Sequence, residues 1–133
     1  PYSGVISLFI SALCAGRQAI IYGDGEHTRD FTYVANVVDG VLRACHAKDA
    51  SGEVINVATG GRISLNALFR TVRDLAGARG EPRYESPRAG DVKDSQADIT
   101  KARRLLGFEP TVSFEEGLDR TVAWYRATSA PVA

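Results

Sequence analysis

Ile21-Tyr22-Gly23-Asp24-Gly25-Glu26-His27-Thr28-Arg29-Asp30-Phe31-Thr32-Tyr33-Val34 is the stretch from which the rest of the chain can be read. Ala19 to Tyr22 is a short strand-like run, and Gly23-Asp24-Gly25 closes it as a turn, because glycine reaches the positive φ that tight turns need. Asp30 to Tyr33 reads as a second short extended segment. From Val34 the period changes. Val34, Val37, Val38, Val41, Leu42 and Cys45 recur at helical offsets and mark one face of a helix, in spite of the strand preference of valine.

Working outward, Val5 to Ala15 carries Val5, Leu8, Phe9 and Leu13 at helical spacing, with Gly16 at its C-terminal break. Downstream, Glu53 to Ala58 is a strand candidate ended by Gly60-Gly61. Ser64 caps a helix whose inward stripe is Leu65, Leu68, Phe69, Val72 and Leu75, and Gly77 stops it. Asp98 caps a further helix with Ile99, Ala102, Leu105 and Leu106 inward and Gly107 at its end. Ser113-Phe114-Glu115-Glu116 is a capping box opening a last helix, where Phe114, Leu118, Val122 and Tyr125 share a face. The tail after Thr128 reads as frayed. Arg79 to Ala97 is the one long irregular stretch, and loops of that length in compact domains are functional or disordered. Helices outnumber strands, a poor basis for an independent sheet. The fold class is therefore α/β, mainly helical with short strands.

At 133 residues the chain has the length of one domain, enough for an apolar core. Sixteen basic residues balance sixteen acidic ones, so no overall field draws it to nucleic acid or to an anionic membrane, and any anion site must be local. No apolar run nears the roughly 20 residues that span a bilayer, and the opening lacks the order of a signal peptide. The default expectation is a cytoplasmic protein with neither nucleic acid nor membrane as partner. Cys14 and Cys45 have no paired spacing and read as buried packing residues. The chain contains no Met, and its opening Pro1-Tyr2-Ser3-Gly4 runs straight into an apolar helix, which reads as a cut in a longer protein.

Positive charge with planar, paired donors suits a diphosphate, and arginine supplies it better than lysine. Arg29 follows the glycine turn, and Arg88 lies in Pro87-Arg88-Ala89-Gly90-Asp91-Val92. Asp91 stands three residues beyond Arg88, with Gly90 giving the backbone freedom to turn, and a carboxylate can accept from both hydroxyls of a ribose. Tyr22 offers a flat wall for a base. Taken singly, such residues are more often a solvated surface charge, a surface ion pair or a core-edge ring. Their order along the chain is what gives them meaning.

That order runs through Val5-Ile6 to Phe9, Gly16, Ile21-Tyr22-Gly23-Asp24-Gly25, Arg29-Asp30-Phe31 with Tyr33-Val34, Asn56-Val57, Ser64-Leu65, Arg88, Gly90-Asp91 and Leu106-Gly107-Phe108-Glu109-Pro110. It resembles the C-terminal, substrate-binding part of the extended short-chain dehydrogenase/reductase (SDR) family, the NAD-dependent epimerases and dehydratases. Within that family it looks like the UDP-glucose or UDP-N-acetylglucosamine 4-epimerase branch. The resemblance implies that residues 1–133 form the nucleotide-sugar-binding part of a Rossmann-type enzyme whose NAD-binding domain is absent from this chain. It also implies that Arg29 and Arg88 contact the diphosphate, Asp91 the ribose, and Tyr22 the region near the base. Asp30 is read as structural and Asn36 as a helix-entry residue. The strand expected at Val54 to Val57 would join the edge of the absent domain's sheet and leave an apolar edge exposed here.

The chemistry of such enzymes requires a glycine-rich turn at a helix N-terminus for the NAD pyrophosphate and a Tyr-x-x-x-Lys pair to move a proton. In this chain Gly23-Asp24-Gly25 is followed by Glu26-His27-Thr28, and none of the five tyrosines has lysine four residues on. Arg88, four residues after Tyr84, holds its proton too firmly to replace that lysine. His27 and His46 are isolated, so no catalytic residue, cofactor site or metal site is assigned. The chain alone is expected to be inactive and to bind no NAD. In the complete enzyme, NAD, a UDP-sugar and a homodimeric partner are expected. Two alternatives stand beside this reading: a stand-alone, non-catalytic nucleotide-sugar-binding or interaction module, and part of a nucleotide-sugar dehydratase or decarboxylase.

Overall fold

The structure is a computed structural model and describes residues 4–129. The reading of Pro1 as a cut lies outside those residues, as does the frayed tail except for Ser129, which closes the last helix. Among the described residues five α-helices and four short strands follow in the order α1 Val5–Cys14, β1 Ile20–Tyr22, β2 Thr28–Arg29, α2 Val34–His46, β3 Ile63–Ser64, α3 Leu65–Leu75, β4 Arg83–Glu85, α4 Thr100–Leu106 and α5 Phe114–Ser129. The chain divides into two compact units. The first takes in the residues up to His27, Ser64–Lys93 and those from Leu118 onward; the second takes in Thr28–Ile63 and Asp94–Gly117.

In the first unit β1 and β4 pair in parallel, with Ile20, Ile21 and Tyr22 opposite Arg83, Tyr84 and Glu85. A parallel pair needs a long connection between its strands. That explains why β4, which lacks any apolar alternation, sits unannounced within the stretch read from sequence as irregular. The inward stripe of α3 packs as its spacing predicts: Leu65, Leu68, Phe69 and Val72 are buried, each worth about 1.5–3 kcal/mol of removed apolar surface. Phe69 meets Phe9 of α1 edge to face, with centroids 5.9 Å apart. Leu118 and Val122 of α5 are also buried. Ser64 caps α3, its hydroxyl accepting from the Ala67 N–H at 3.2 Å. On α1, however, Ile10 is buried and Leu8 is exposed, so the buried arc is turned by part of a turn from the one expected.

The second unit packs Ala58, Ile99, Ala102, Leu106 and Phe108 into its own core. Gly107 ends α4 in the left-handed conformation, φ 57°. The Asp98 side chain accepts from the Thr100 N–H at 2.9 Å, and hydrogen bonding to Thr100 holds its carboxyl below the usual carboxylate range. Ser113 performs the expected capping at α5, accepting from the Glu116 N–H at 3.1 Å.

Three expectations are corrected here. The extended pairing falls on Thr28–Arg29, just before the Asp30 to Tyr33 segment, where the backbone finds a ladder partner in β3. Glu53 to Ala58 forms no strand; a ladder needs a neighbour, and Val54 is left 87% exposed. The helix read from the valine period is present as α2, and its apolar face is outward, with Val34, Val38, Val41 and Leu42 all exposed. The buried face of α2 instead carries Asn36 and Gly40. Gly40 is there because Val57 presses close: a Cβ at that position would lie 2.5 Å from the Val57 Cγ1. Cys14 and Cys45 are both exposed rather than buried, Cys45 because it shares the outward face of α2.

Two side chains organise the second unit. The Asp30 carboxylate accepts from the Thr59 N–H at 3.1 Å and the Thr59 hydroxyl through Oδ1, and from the N–H groups of Gly60 at 2.9 Å and Ala97 at 3.3 Å through Oδ2. Its role is structural, as expected, but it ties together two distant loops. Asn36, 1% exposed, does more than open a helix. Its oxygen accepts from the N–H groups of Thr111 and Val112, each at 3.0 Å, and its amide donates to the Val112 carbonyl at 2.8 Å. These bonds hold the segment that leads into α5.

Candidate functional site

The glycine turn of the first unit is fixed from two sides. Gly23 N–H donates to the Glu85 carbonyl at 2.9 Å, extending the β1–β4 pairing. Asn66, at the start of α3, donates from its side chain to the Asp24 carbonyl at 3.0 Å and the Glu26 carboxylate at 2.6 Å, and accepts from the Tyr84 hydroxyl at 2.9 Å. Gly25 (φ 76°) lies so close that a Cβ there would fall 2.1 Å from the Asn66 Oδ1. Gly25→Ala should therefore destabilise the chain by about 1–3 kcal/mol, from left-handed backbone strain and displacement of Asn66. A fall in the urea midpoint of a few tenths of a molar or more checks this, and an unchanged midpoint refutes it.

Against this turn lies the loop carrying Arg88 and Asp91. Asp91 N–H donates to the Arg88 carbonyl at 3.3 Å, and Gly90, at φ 80°, occupies the third position as a type II turn requires. The Arg88 guanidinium stacks on the Tyr22 ring, 3.8 Å from its centroid. Such a cation–π contact is worth about 0.5–1 kcal/mol at an exposed site, and it fixes the plane of the guanidinium while leaving its N–H edges for a ligand. Arg88 makes no ion pair among the described residues. Asp91 lies with its Oδ2 3.5 Å from the His27 Nδ1.

Of the four expected binding residues, Tyr22, Arg88 and Asp91 thus lie in the first unit, with Tyr22 and Arg88 in direct contact. Arg29 belongs to the second unit, where its Nη1 donates to the Thr28 carbonyl at 2.8 Å. The stack itself was not foreseen, since Tyr22 was read as a wall for a base and not as a support for Arg88. Asn66 and His27 were missed as well. An asparagine in the first turn of a helix and a lone histidine carry no sequence signal; only the close approach of Gly25 to Asn66 singles the former out.

The family model for GDP-mannose 4,6 dehydratase matches residues 2–121 of the chain. The chain belongs to that family. It is thus the C-terminal part of an extended short-chain dehydrogenase/reductase fold of the NAD-dependent epimerase/dehydratase type. Its sequence is 40% identical over 127 residues to a UDP-glucose 4-epimerase of Mycolicibacterium smegmatis, covering 96% of this chain and 40% of that protein. It is 33% identical to a UDP-N-acetyl-alpha-D-glucosaminuronate decarboxylase of Bacillus cytotoxicus, covering 95% of this chain and 41% of that one. In structure it is similar to the UDP-glucose 4-epimerase of Thermotoga maritima solved with UDP-glucose, with TM-score 0.91 and 42% identity over 96% of this chain and 41% of that one. The chain therefore spans about two fifths of the length of the relatives it matches. Several similar solved structures of the family contain NAD.

In this dehydratase-family chain the glycine turn does not fit a dinucleotide. It leads into β2, not into a helix N-terminus, and the space beside Gly25 is filled by Asn66. Among the described residues no His/Cys/Asp/Glu group could hold a metal ion, and no helix is long and apolar enough to cross a membrane.

Proposed function

We propose that this chain is the substrate-binding portion of an NAD-dependent UDP-sugar 4-epimerase, holding the diphosphate and ribose of UDP while residues outside the chain carry out hydride and proton transfer. The observation that carries this reading is the Arg88 guanidinium held flat on Tyr22 at one end of a tight turn that bears Asp91 at the other. Paired N–H donors of fixed orientation suit a diphosphate, and a carboxylate a turn away suits the adjoining ribose. Arg29 is assigned as a second diphosphate contact and Tyr22 as the ring nearest the base. Anchoring the nucleotide while the sugar turns is a contribution of position, not of bond making.

The outward valine face of α2 and the 87% exposed Val54 support the expectation that an NAD-binding domain covers this part in the complete, homodimeric enzyme, since isolated proteins rarely expose large contiguous apolar surface. The same feature weighs against a stand-alone module. NAD is assigned to that domain, because the glycine turn here does not fit it. The 4-epimerase branch is preferred over a decarboxylase or dehydratase because UDP-glucose 4-epimerases reach 40–42% identity, against 33–35% for two decarboxylases and 34% for a dehydratase.

The test is product analysis by proton NMR with the complete protein, NAD and UDP-glucose. A UDP-sugar inverted at C4 alone is expected. A 4-keto-6-deoxy product, or turnover confined to a uronic acid with loss of carbon dioxide, would replace the epimerase reading with one of the alternatives.

A further inference from the structure

His27 presents a problem that the proposed function leaves unsolved. Its imidazole lies in the first unit, 15% exposed, between the glycine turn and the Asp91 loop. The ring closes on Gly23, its Cε1 3.4 Å from where a Cβ would stand, and Pro87 borders the same point at 3.8 Å. The Nδ1 atom is buried and has no hydrogen-bond partner. A buried nitrogen left in that state costs about 1–3 kcal/mol, and native structures rarely leave one unsatisfied. The Asp91 Oδ2 faces it at 3.5 Å, only a few tenths of an ångström beyond hydrogen-bond range.

We infer that His27 is a positioning residue: its Nδ1–H donates to Asp91 Oδ2 when nucleotide binds, turning Oδ1 of the carboxylate toward the ribose hydroxyls. The inference rests on the reading of Asp91 as the ribose contact. It adds a mechanism for selecting one rotamer of a loop carboxylate that is itself 30% exposed. A carboxylate that accepts from an imidazole on one oxygen has its other oxygen directed at the ligand, and the hydrogen bond made on binding adds to the affinity. The His27 carbonyl accepts from the Leu65 N–H at 3.1 Å, so the residue is tied to the start of α3.

Two substitutions separate this role from simple packing. His27→Phe keeps the ring against Gly23 and Pro87 but removes the nitrogen. His27→Asn removes the ring but puts an amide nitrogen one bond from Cγ, where Nδ1 stands. The experiment is calorimetric titration of UDP into the complete protein and its variants, with thermal unfolding run alongside. His27→Phe should weaken UDP binding on the order of tenfold, and His27→Asn should recover most of that loss even where its melting temperature is the lower of the two. In an Asp91→Asn background, the His27→Phe change should add little, because the two residues act as one unit. Losses in His27→Asn equal to those in His27→Phe, or independent effects of His27 and Asp91, would overturn the inference while leaving the site intact. Failure of the parent protein to bind UDP, or binding unaffected by Asp91→Asn, would remove the underlying reading and this inference together.

Discussion

Replacing Asp30 by alanine should destabilise the chain by about 3–5 kcal/mol, at the upper end of what a single substitution does. Three backbone N–H groups and one hydroxyl, from Thr59, Gly60 and Ala97, lose their common acceptor at once. Each hydrogen bond to a charged acceptor is worth about 1.5–3 kcal/mol, but water can reach part of this site, so the losses do not simply sum. Asp30→Asn should cost less without being neutral, because whichever oxygen becomes an amide then faces a backbone donor that it cannot accept. In urea the midpoint of Asp30→Ala should fall by about 1–5 M, given slopes of about 1–3 kcal/mol/M. A fall under about half a molar would show that these four bonds do not organise the second unit.

The second large effect is on binding. Arg88→Ala should weaken UDP by about tenfold to a hundredfold in the complete protein, the loss of one or two charge-assisted hydrogen bonds to the diphosphate. Uridine, which has no phosphate, should be affected little. Arg88→Lys should recover only part of the loss, since an ammonium neither stacks on Tyr22 nor presents two parallel donors. Tyr22→Leu should show a smaller loss of the same kind, because the guanidinium remains but its plane is released. Calorimetry with UDP and uridine on the four proteins reads all of this. Equal losses for UDP and uridine would move Arg88 away from the phosphates.

Much of the fold was legible because local chemistry and tertiary position agree. Ser64, Gly107 and Ser113 cap where their residue types demand, and the α3 stripe is buried where its period puts it. The misses share a different cause. Cys45 on the valine face of α2, and Val54 in the expected strand, belong to clear apolar patterns, but a pattern says only that a face is apolar, and among the described residues the surface that would cover these positions is not found. β4 has no pattern of its own and becomes a strand because β1 lies beside it. Asn36 is buried on a helix through three bonds to residues about 75 positions away, a relation no local reading contains. At the candidate site, residue types and spacing pointed to Arg88, Asp91 and Tyr22, whereas the stack of Arg88 on Tyr22 and the approach of His27 to Asp91 depend on two loops converging.

The central claim is that Arg88 and Asp91 grip one nucleoside diphosphate, and a crystal structure of the complete protein with UDP tests it most directly. The account predicts the Arg88 guanidinium within hydrogen-bond distance of the diphosphate, still stacked on Tyr22, and the Asp91 carboxylate on the ribose hydroxyls. A bound UDP whose diphosphate is held elsewhere, with Arg88 turned to solvent, would contradict it.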